Sequence, residues 1–343
     1  MKKTQLKKCY LAMHLSLALF CLQTPAHSKN VEVPKASDLF LTGNFPKAKF
    51  INLIERPHGK PLDLSVRRPV VNLKGTVFER KYGKPGYTLV ANLYHKKKFF
   101  IARVPENGVK DIYFQMWYFD PKIAGKYIAA HTLLRFEMNS NRPVELVAEV
   151  PSEKKLKQLS KMSSSQAEQA LPREMHNKVL RNVAISAEAQ WVKDDPKKEY
   201  SLIRGTRGAF VQIVRFVSME ERYLQNFENG ENPVAQLKLD RSQSDLNKIL
   251  MWSFRVSEDD GIRRFYDTIK YNCTTKVFEI INRALGRKVN QSKTLESYAR
   301  VRFPIASGGE IKKQFGGAYV ETLQEDPSLN RDREAARRRF LGK

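Results

Sequence analysis

Cysteine is scarce in this chain: three in 343 residues, at positions 9, 21 and 273. That excludes a disulfide-stapled scaffold and any zinc site built on paired cysteines. Acid is also short against base, 36 residues to 61, leaving a net charge of +25. A nucleic-acid partner is the usual implication of such an excess, but no zinc-finger, RNP or basic-heptad pattern accompanies it. No stretch beyond residue 22 approaches the roughly 20 apolar residues of a membrane span. Internal repeats are missing too. Gly308-Gly309 and Gly316-Gly317 lack the strand–turn–helix context and the lysine spacing of a phosphate loop, and read as flexible loops. Neither metal nor cofactor is expected.

The chain does have an export signal. Lys2, Lys3, Lys7 and Lys8 give a positive start, and Cys9 to Leu22 is apolar except for His14 and Ser16. Ala26 and Ser28 then supply the small-residue spacing of a cleavage site. Residues 1–28 therefore read as a secretory leader cut after Ser28. An uncleaved anchor needs a longer run, and a lipoprotein leader needs a small residue where Phe20 precedes Cys21. Cleavage removes Cys9 and Cys21, so Cys273 becomes the single cysteine of a periplasmic or secreted protein. The mature charge of +21 suits anionic headgroups, lipopolysaccharide or acidic wall polymers, or else a solvated surface.

Residues 29–68 are proline- and lysine-rich and read as an extended lead-in. Residues 69–150 are punctuated strands: Val70 to Leu73, Val77-Phe78, Tyr87 to Val90, Phe99 to Ala102, Ile112 to Phe114, Trp117 to Phe119, Tyr127 to Met138 and Val144 to Val150. Residues 151–178 are polar, a helical insertion or a linker. From 179 to 320, strand alternation at Asn182–Val192 and Tyr200–Val217 gives way to helices capped at Ser242, Ser257 and Asn272. Residues 321–343 form a charged helix or tail. Strands first and helices after predict an α+β fold, an antiparallel sheet with helices packed on it.

Cys273 sits in Tyr271-Asn272-Cys273-Thr274-Thr275, just after a good N-cap residue. Val277, Phe278, Ile281, Ala284 and Leu285 recur at helical spacing behind it. A helix N-terminus favours thiolate over thiol, and the N–H groups of Cys273 and Thr274 could receive an oxyanion. The plain alternative is that Cys273, Val277 and Ile281 share one buried stripe, the thiol being a small hydrophobe. A nucleophile needs a base. His58 lies in a turn, His95 in a basic loop and His176 in the polar linker. His131 alone lies on a predicted strand, in Ala129-Ala130-His131-Thr132-Leu133-Leu134-Arg135-Phe136, and ranks first. Arg135 shares its face, either to bind an anionic headgroup or to stay solvated. Glu145 and Glu149, on the following strand, are the candidates to orient the imidazole, though surface charge explains both as well.

The strand Ala130-His131-Thr132-Leu133-Leu134-Arg135-Phe136, the segment Gly205-Thr206-Arg207-Gly208-Ala209-Phe210 and the helix start at Asn272-Cys273-Thr274 together resemble the Lnb N-terminal periplasmic domain, over about Ile112 to Leu285. The resemblance implies thiol acyl-transfer chemistry of the kind that moves an acyl chain within bacterial lipoproteins. Cys273 would be nucleophile, His131 base, and Asn272 and Thr274 the cap and oxyanion support. The chain order, histidine strand before cysteine helix, is similar to that of circularly permuted papain-like enzymes. The sequence departs from the pattern at Asn232-Pro233-Val234-Ala235-Gln236-Leu237, where an aromatic-acidic strand is usual, and it shows no C-terminal spanning helices.

Three functions follow as expectations. One is an exported thiol acyltransferase or hydrolase acting on an ester, thioester or amide of an envelope lipid or lipoprotein. The second is a cysteine peptidase or amidase acting on cell-wall peptides. The third, without catalysis, is a cationic protein holding an anionic membrane surface or polymer.

Overall fold

In the computed structural model the described residues are 62–123, 126–197, 200–260, 264–287, 304–316, 318–320 and 327–342. The predicted leader with Cys9 and Cys21, the lead-in up to residue 61 with His58, and Gly317 lie outside them. The strands are β1 (Val71–Asn72), β2 (Tyr87–His95), β3 (Lys98–Pro105), β4 (Val109–Ile123), β5 (Lys126–Met138), β6 (Val144–Glu149), β7 (Val179–Leu180), β8 (Asn182–Gln190), β9 (Phe210–Ser218), β10 (Val234–Lys238), β11 (Phe265–Tyr266) and β12 (Ala318–Val320). The helices are α1 (Val77–Tyr82), α2 (Glu153–Leu159), α3 (Ser164–Ala170), α4 (Leu202–Thr206), α5 (Met219–Glu228), α6 (Gln243–Asp260), α7 (Cys273–Ala284), α8 (Pro304–Phe315) and α9 (Pro327–Phe340).

All twelve strands join one open sheet, in the order β12-β10-β4-β5-β8-β9-β2-β3-β6-β7, with β1 added to β2 and β11 to β9. The pairings are antiparallel except β2 with β9. The architecture is thus α+β with a mixed, mostly antiparallel sheet. The strand order breaks with the chain order at a decisive place. β6 follows β5 in sequence, yet it pairs with β3 and β7, while β5 lies between β4 and β8. Glu145 and Glu149 are therefore far from His131. Glu145 meets Lys84 and Arg103, and Glu149 meets Lys98.

Strand alternation separates two faces of the sheet. One carries Ile112, Phe114, Met116, Leu134, Phe136, Val183, Ile185, Val214 and Phe216, packed with Leu250 and Phe254 of α6, Val277, Phe278 and Ile281 of α7, and Ile311 and Phe315 of α8. The other carries Trp117, Leu133, Ala184 and Val217 against Met219, Tyr223 and Leu224 of α5 and Leu329 and Ala336 of α9. Between those apolar contacts it holds a buried polar set described below. A further core packs α1, α2 and α3 on β2, β3 and β6, through Phe78, Leu156, Leu159, Ala167, Ile101 and Val147.

Some local expectations are corrected. Val77-Phe78 starts helix α1, because Thr76 accepts the N–H of Glu79 as an N-cap. Ser257 does not start a helix: α6 continues through it to Asp260, and the Ser257 hydroxyl is buried, donating to the Val214 carbonyl at 2.8 Å. Gly308 and Gly309 lie inside α8. The segment 151–178 contains α2 and α3, with Leu156, Leu159 and Ala167 buried and the lysines outside.

Candidate active site

The site lies where β5 and β8 part. Their pairing runs from Glu137↔Asn182 to Leu133↔Ser186 and stops. Continued by two residues, that register sets His131 opposite Glu188. The next free amide, Thr132 N–H, points instead at Cys273 Sγ, 3.4 Å away. Cys273 reaches this gap because α7 packs against both β5 and β8. The apolar stripe of α7 fixes its rotation, and its first turn is locked twice. Asn272 Oδ1 accepts the Thr275 N–H at 3.0 Å, and Thr275 Oγ1 accepts the Asn272 N–H at 2.9 Å, a reciprocal cap that contributes about 1 kcal/mol. Thr274, fully buried, links its hydroxyl to that of Thr132 at 3.2 Å. The sequence placed Asn272 and Thr274 beside the sulfur as cap and oxyanion support. Their side chains are engaged in anchoring the helix, so only first-turn amides are left for an oxyanion.

Cys273 is 2% exposed. Burial alone would push its thiol up. The nearby His131 first, then hydrogen bonding from Thr132, outweigh it and bring the thiol down from 9.0 to about 6. Tyr266 closes another side, its hydroxyl 3.8 Å from the sulfur. Burial first, then the nearby sulfur charge, holds that phenol well above its usual range, so it remains a hydrogen-bond donor. Gln212 secures the entry to the helix, its amide donating to the Tyr271 carbonyl at 2.9 Å.

Behind His131 stands a carboxylate that sequence reading missed. His131 Nε2 lies 3.6 Å from Glu188 Oε1. Glu188 also receives Arg222 Nη1 at 3.0 Å and the Ser186 hydroxyl at 2.7 Å, with Arg67 Nε at 3.3 Å and Arg215 Nη1 at 3.8 Å. Burial opposes its ionisation, but Arg222, His131, Arg215 and Arg67 hold it well below the usual carboxylate range. Glu188 is therefore ionised at any physiological pH and fixed in place. A signal was available: Glu188 is the one acid in Val183-Ala184-Ile185-Ser186-Ala187-Glu188-Ala189, an otherwise small and apolar strand.

Arg135 is neither solvated nor open to a headgroup. It is completely buried, with its guanidinium on Asn182 at 3.0 and 3.2 Å and on Gln236 at 3.1 Å, over the ring of Tyr113. This chain of contacts runs on from Gln236 to Gln115 and from Asn182 to Asp332 of α9. His95 is buried as well. Its Nδ1 lies 2.9 Å from the Ser218 hydroxyl, and burial pushes it down to about 4, so it stays neutral. His176 is exposed. Among the described residues, no three metal-ligating side chains converge, and no helix is long and apolar enough to cross a membrane.

The glycine-rich segment also serves the site. A Cβ on Gly205 would fall 2.1 Å from the Thr268 hydroxyl, so only glycine lets α4 lie against the loop that leads into Asn272. Gly208 turns the chain into β9 with φ +72°.

The His131 strand, the glycine-rich segment and the Asn272-Cys273-Thr274 helix start thus meet around the start of α7. No curated protein and no solved structure matches the chain, so the likeness to papain-like enzymes gains no support from a neighbour of known structure. The family model of the Lnb N-terminal periplasmic domain matches residues 123–307, more than half of the sequence, and the chain belongs to that family.

Proposed function

We propose that the protein is a periplasmic thiol acyltransferase or hydrolase acting on an ester, thioester or amide of an envelope lipid or lipoprotein. What supports this reading is the parting of β5 and β8: there Cys273 Sγ accepts the Thr132 N–H at 3.4 Å, and His131, the adjacent residue, lies 3.6 Å from Glu188. A thiol drawn down to about 6 is largely thiolate at neutral pH. Membership of a periplasmic domain family supports the compartment, and the leader-like first 28 residues agree with it.

In this reading the thiolate of Cys273 attacks the acyl carbon, forming the S–C bond. The oxygen of the tetrahedral intermediate is received by N–H groups of the first turn of α7. Collapse breaks the bond to the leaving oxygen, nitrogen or sulfur, which takes the proton held on His131. An acceptor amine, hydroxyl or water then gives its proton to His131 and attacks the thioester carbon, and Cys273 leaves again as thiolate. Glu188, ionised and 3.6 Å from Nε2, stabilises the cationic form of the ring by its charge. His131, at 19% side-chain exposure, is the more open of the pair, so the acyl group approaches from its side.

The acyl-enzyme is the test. Incubation with a fatty-acyl thioester or a diacylated lipopeptide should add one acyl mass to the peptide containing Cys273, and neutral hydroxylamine should remove it. Labelling that persists in Cys273→Ser protein, or none with either acyl compound while peptidoglycan fragments are cleaved, would overturn the acyl-lipid reading. The latter result would establish the cell-wall amidase instead.

A further inference from the structure

Nine large apolar side chains are exposed among the described residues, and four of them lie on two joined segments, α4 and the loop that leads into α7. Leu202 and Ile203 lie in α4, and Ile269 and Tyr271 in the loop before α7. Ile203 is 63% and Tyr271 55% exposed. The two segments are one structural unit. The Thr268 hydroxyl donates to the Leu202 carbonyl at 3.1 Å and meets the Tyr200 hydroxyl at 3.0 Å. The loop is closed by paired backbone bonds between Asp267 and Tyr271, and Gly205 permits the close approach of α4. The unit is also wired to the thiol. Asn272 donates to the Thr268 carbonyl at 2.7 Å, and Tyr200 stacks edge-on with Tyr266, whose hydroxyl faces Cys273 Sγ.

The rim of this patch is basic. Arg207 and Lys270 stand exposed beside it. The one acid of the loop, Asp267, is half-buried and accepts the N–H groups of Ile269 and Lys270. Aliphatic side chains and a tyrosine bordered by cations, on a protein of net charge +25, are complementary to the interface of an anionic bilayer: apolar groups enter the acyl boundary, the phenol remains at headgroup depth, and the cations meet phosphate. A protein partner would also cover the apolar groups, but it would not call for exposed Arg207 and Lys270 flanking them.

We infer that Leu202, Ile203, Ile269 and Tyr271, with Arg207 and Lys270, form the surface by which the protein seats on an anionic phospholipid bilayer. Seated there, the N-terminus of α7 is held at the membrane interface, where acyl ester and amide bonds of lipids lie. The benefit to the thiol rests on the proposed acyl-transfer reading; the docking itself does not.

The experiment is co-sedimentation of the protein, recovered from the periplasmic fraction, with vesicles of phosphatidylglycerol mixed with phosphatidylethanolamine, and with phosphatidylcholine vesicles for comparison. The protein should bind the anionic vesicles, and added salt should weaken binding. Ile203→Asp combined with Ile269→Asp should lower affinity about tenfold or more, with an unchanged melting temperature. Arg207→Glu combined with Lys270→Glu, which leaves the apolar groups in place, should abolish the preference for anionic lipid. Cys273→Ser protein should bind like the unaltered one, so loss of chemistry and loss of docking are read separately. Four results would overturn the inference: no vesicle binding, undiminished binding by both double variants, loss of binding only on Arg337→Glu with Arg338→Glu at the end of α9, or a lipid-independent dimer that Ile203→Asp dissociates.

Discussion

Along β5, Leu134, Phe136 and Met138 point to one side of the sheet, and His131, Arg135 and Glu137 to the other. Both sides are buried. The first side is held by contact with α6, α7 and α8, a non-directional attraction in which one aliphatic residue can often replace another. The second adds to its apolar contacts a set of polar pairs. Arg135 needs Asn182 and Gln236, Asn182 needs Asp332, and Glu188 needs Arg222 and Arg215. There each buried polar group is tolerable only because a particular partner meets it. The contrast explains the division of labour at the site. The apolar side sets where α7 and its thiol lie, and the polar side sets the charge that His131 experiences.

The largest effect expected is on the polar side. Glu188→Gln changes no volume but leaves Arg67, Arg215 and Arg222 without their carboxylate, and urea unfolding should show a loss of about 3–5 kcal/mol. Leu134→Ala on the apolar side removes buried carbon and should lose about 2–5 kcal/mol. If Glu188→Gln lost less than about 1 kcal/mol, the arginines would not depend on that carboxylate, and the comparison would fail. Arg135→Met keeps much of the buried length but removes the guanidinium donors to Asn182 Oδ1 and Gln236 Oε1. A loss of about 1–3 kcal/mol is expected by the same measurement. The smallest effect concerns Asp332, whose carboxyl burial pushes up from 3.8 to about 6. The folded state then binds this proton more tightly than the unfolded chain does. Its contribution to stability is complete below pH 3.8 and is lost as pH rises through about 6. Asp332→Asn should remove that part of the stability decline when unfolding is followed between pH 4 and pH 7.

The same contrast governs what the sequence reveals. The start of the α7 helix was legible to the residue, because Asn272 and the apolar stripe are local signals that agree. His131 stood out as the one histidine on a predicted strand, although His95, expected in a loop, in fact ends strand β2. Glu188 was hidden, because its role depends on β8 lying beside β5, and strand order is not written in local periodicity. Sequence proximity favoured Glu145 and Glu149, which the sheet carries to the far side of β3. Arg135 misled for a related reason: alternation marks a face, but does not say that a face bearing arginine is covered by α9. The strand-like Val77-Phe78 became a helix because the Thr76 cap outweighed two β-favouring residues.

The central claim is that His131, meeting Cys273 where β5 and β8 part, makes the sulfur a thiolate at neutral pH. Ultraviolet thiolate absorbance, taken as the difference between the native protein and Cys273→Ser and followed against pH, measures this without requiring a reagent to reach a buried sulfur. The account predicts a midpoint near 6 that moves towards 9 in His131→Ala. A native midpoint near 9, or one unmoved by His131→Ala, would contradict it.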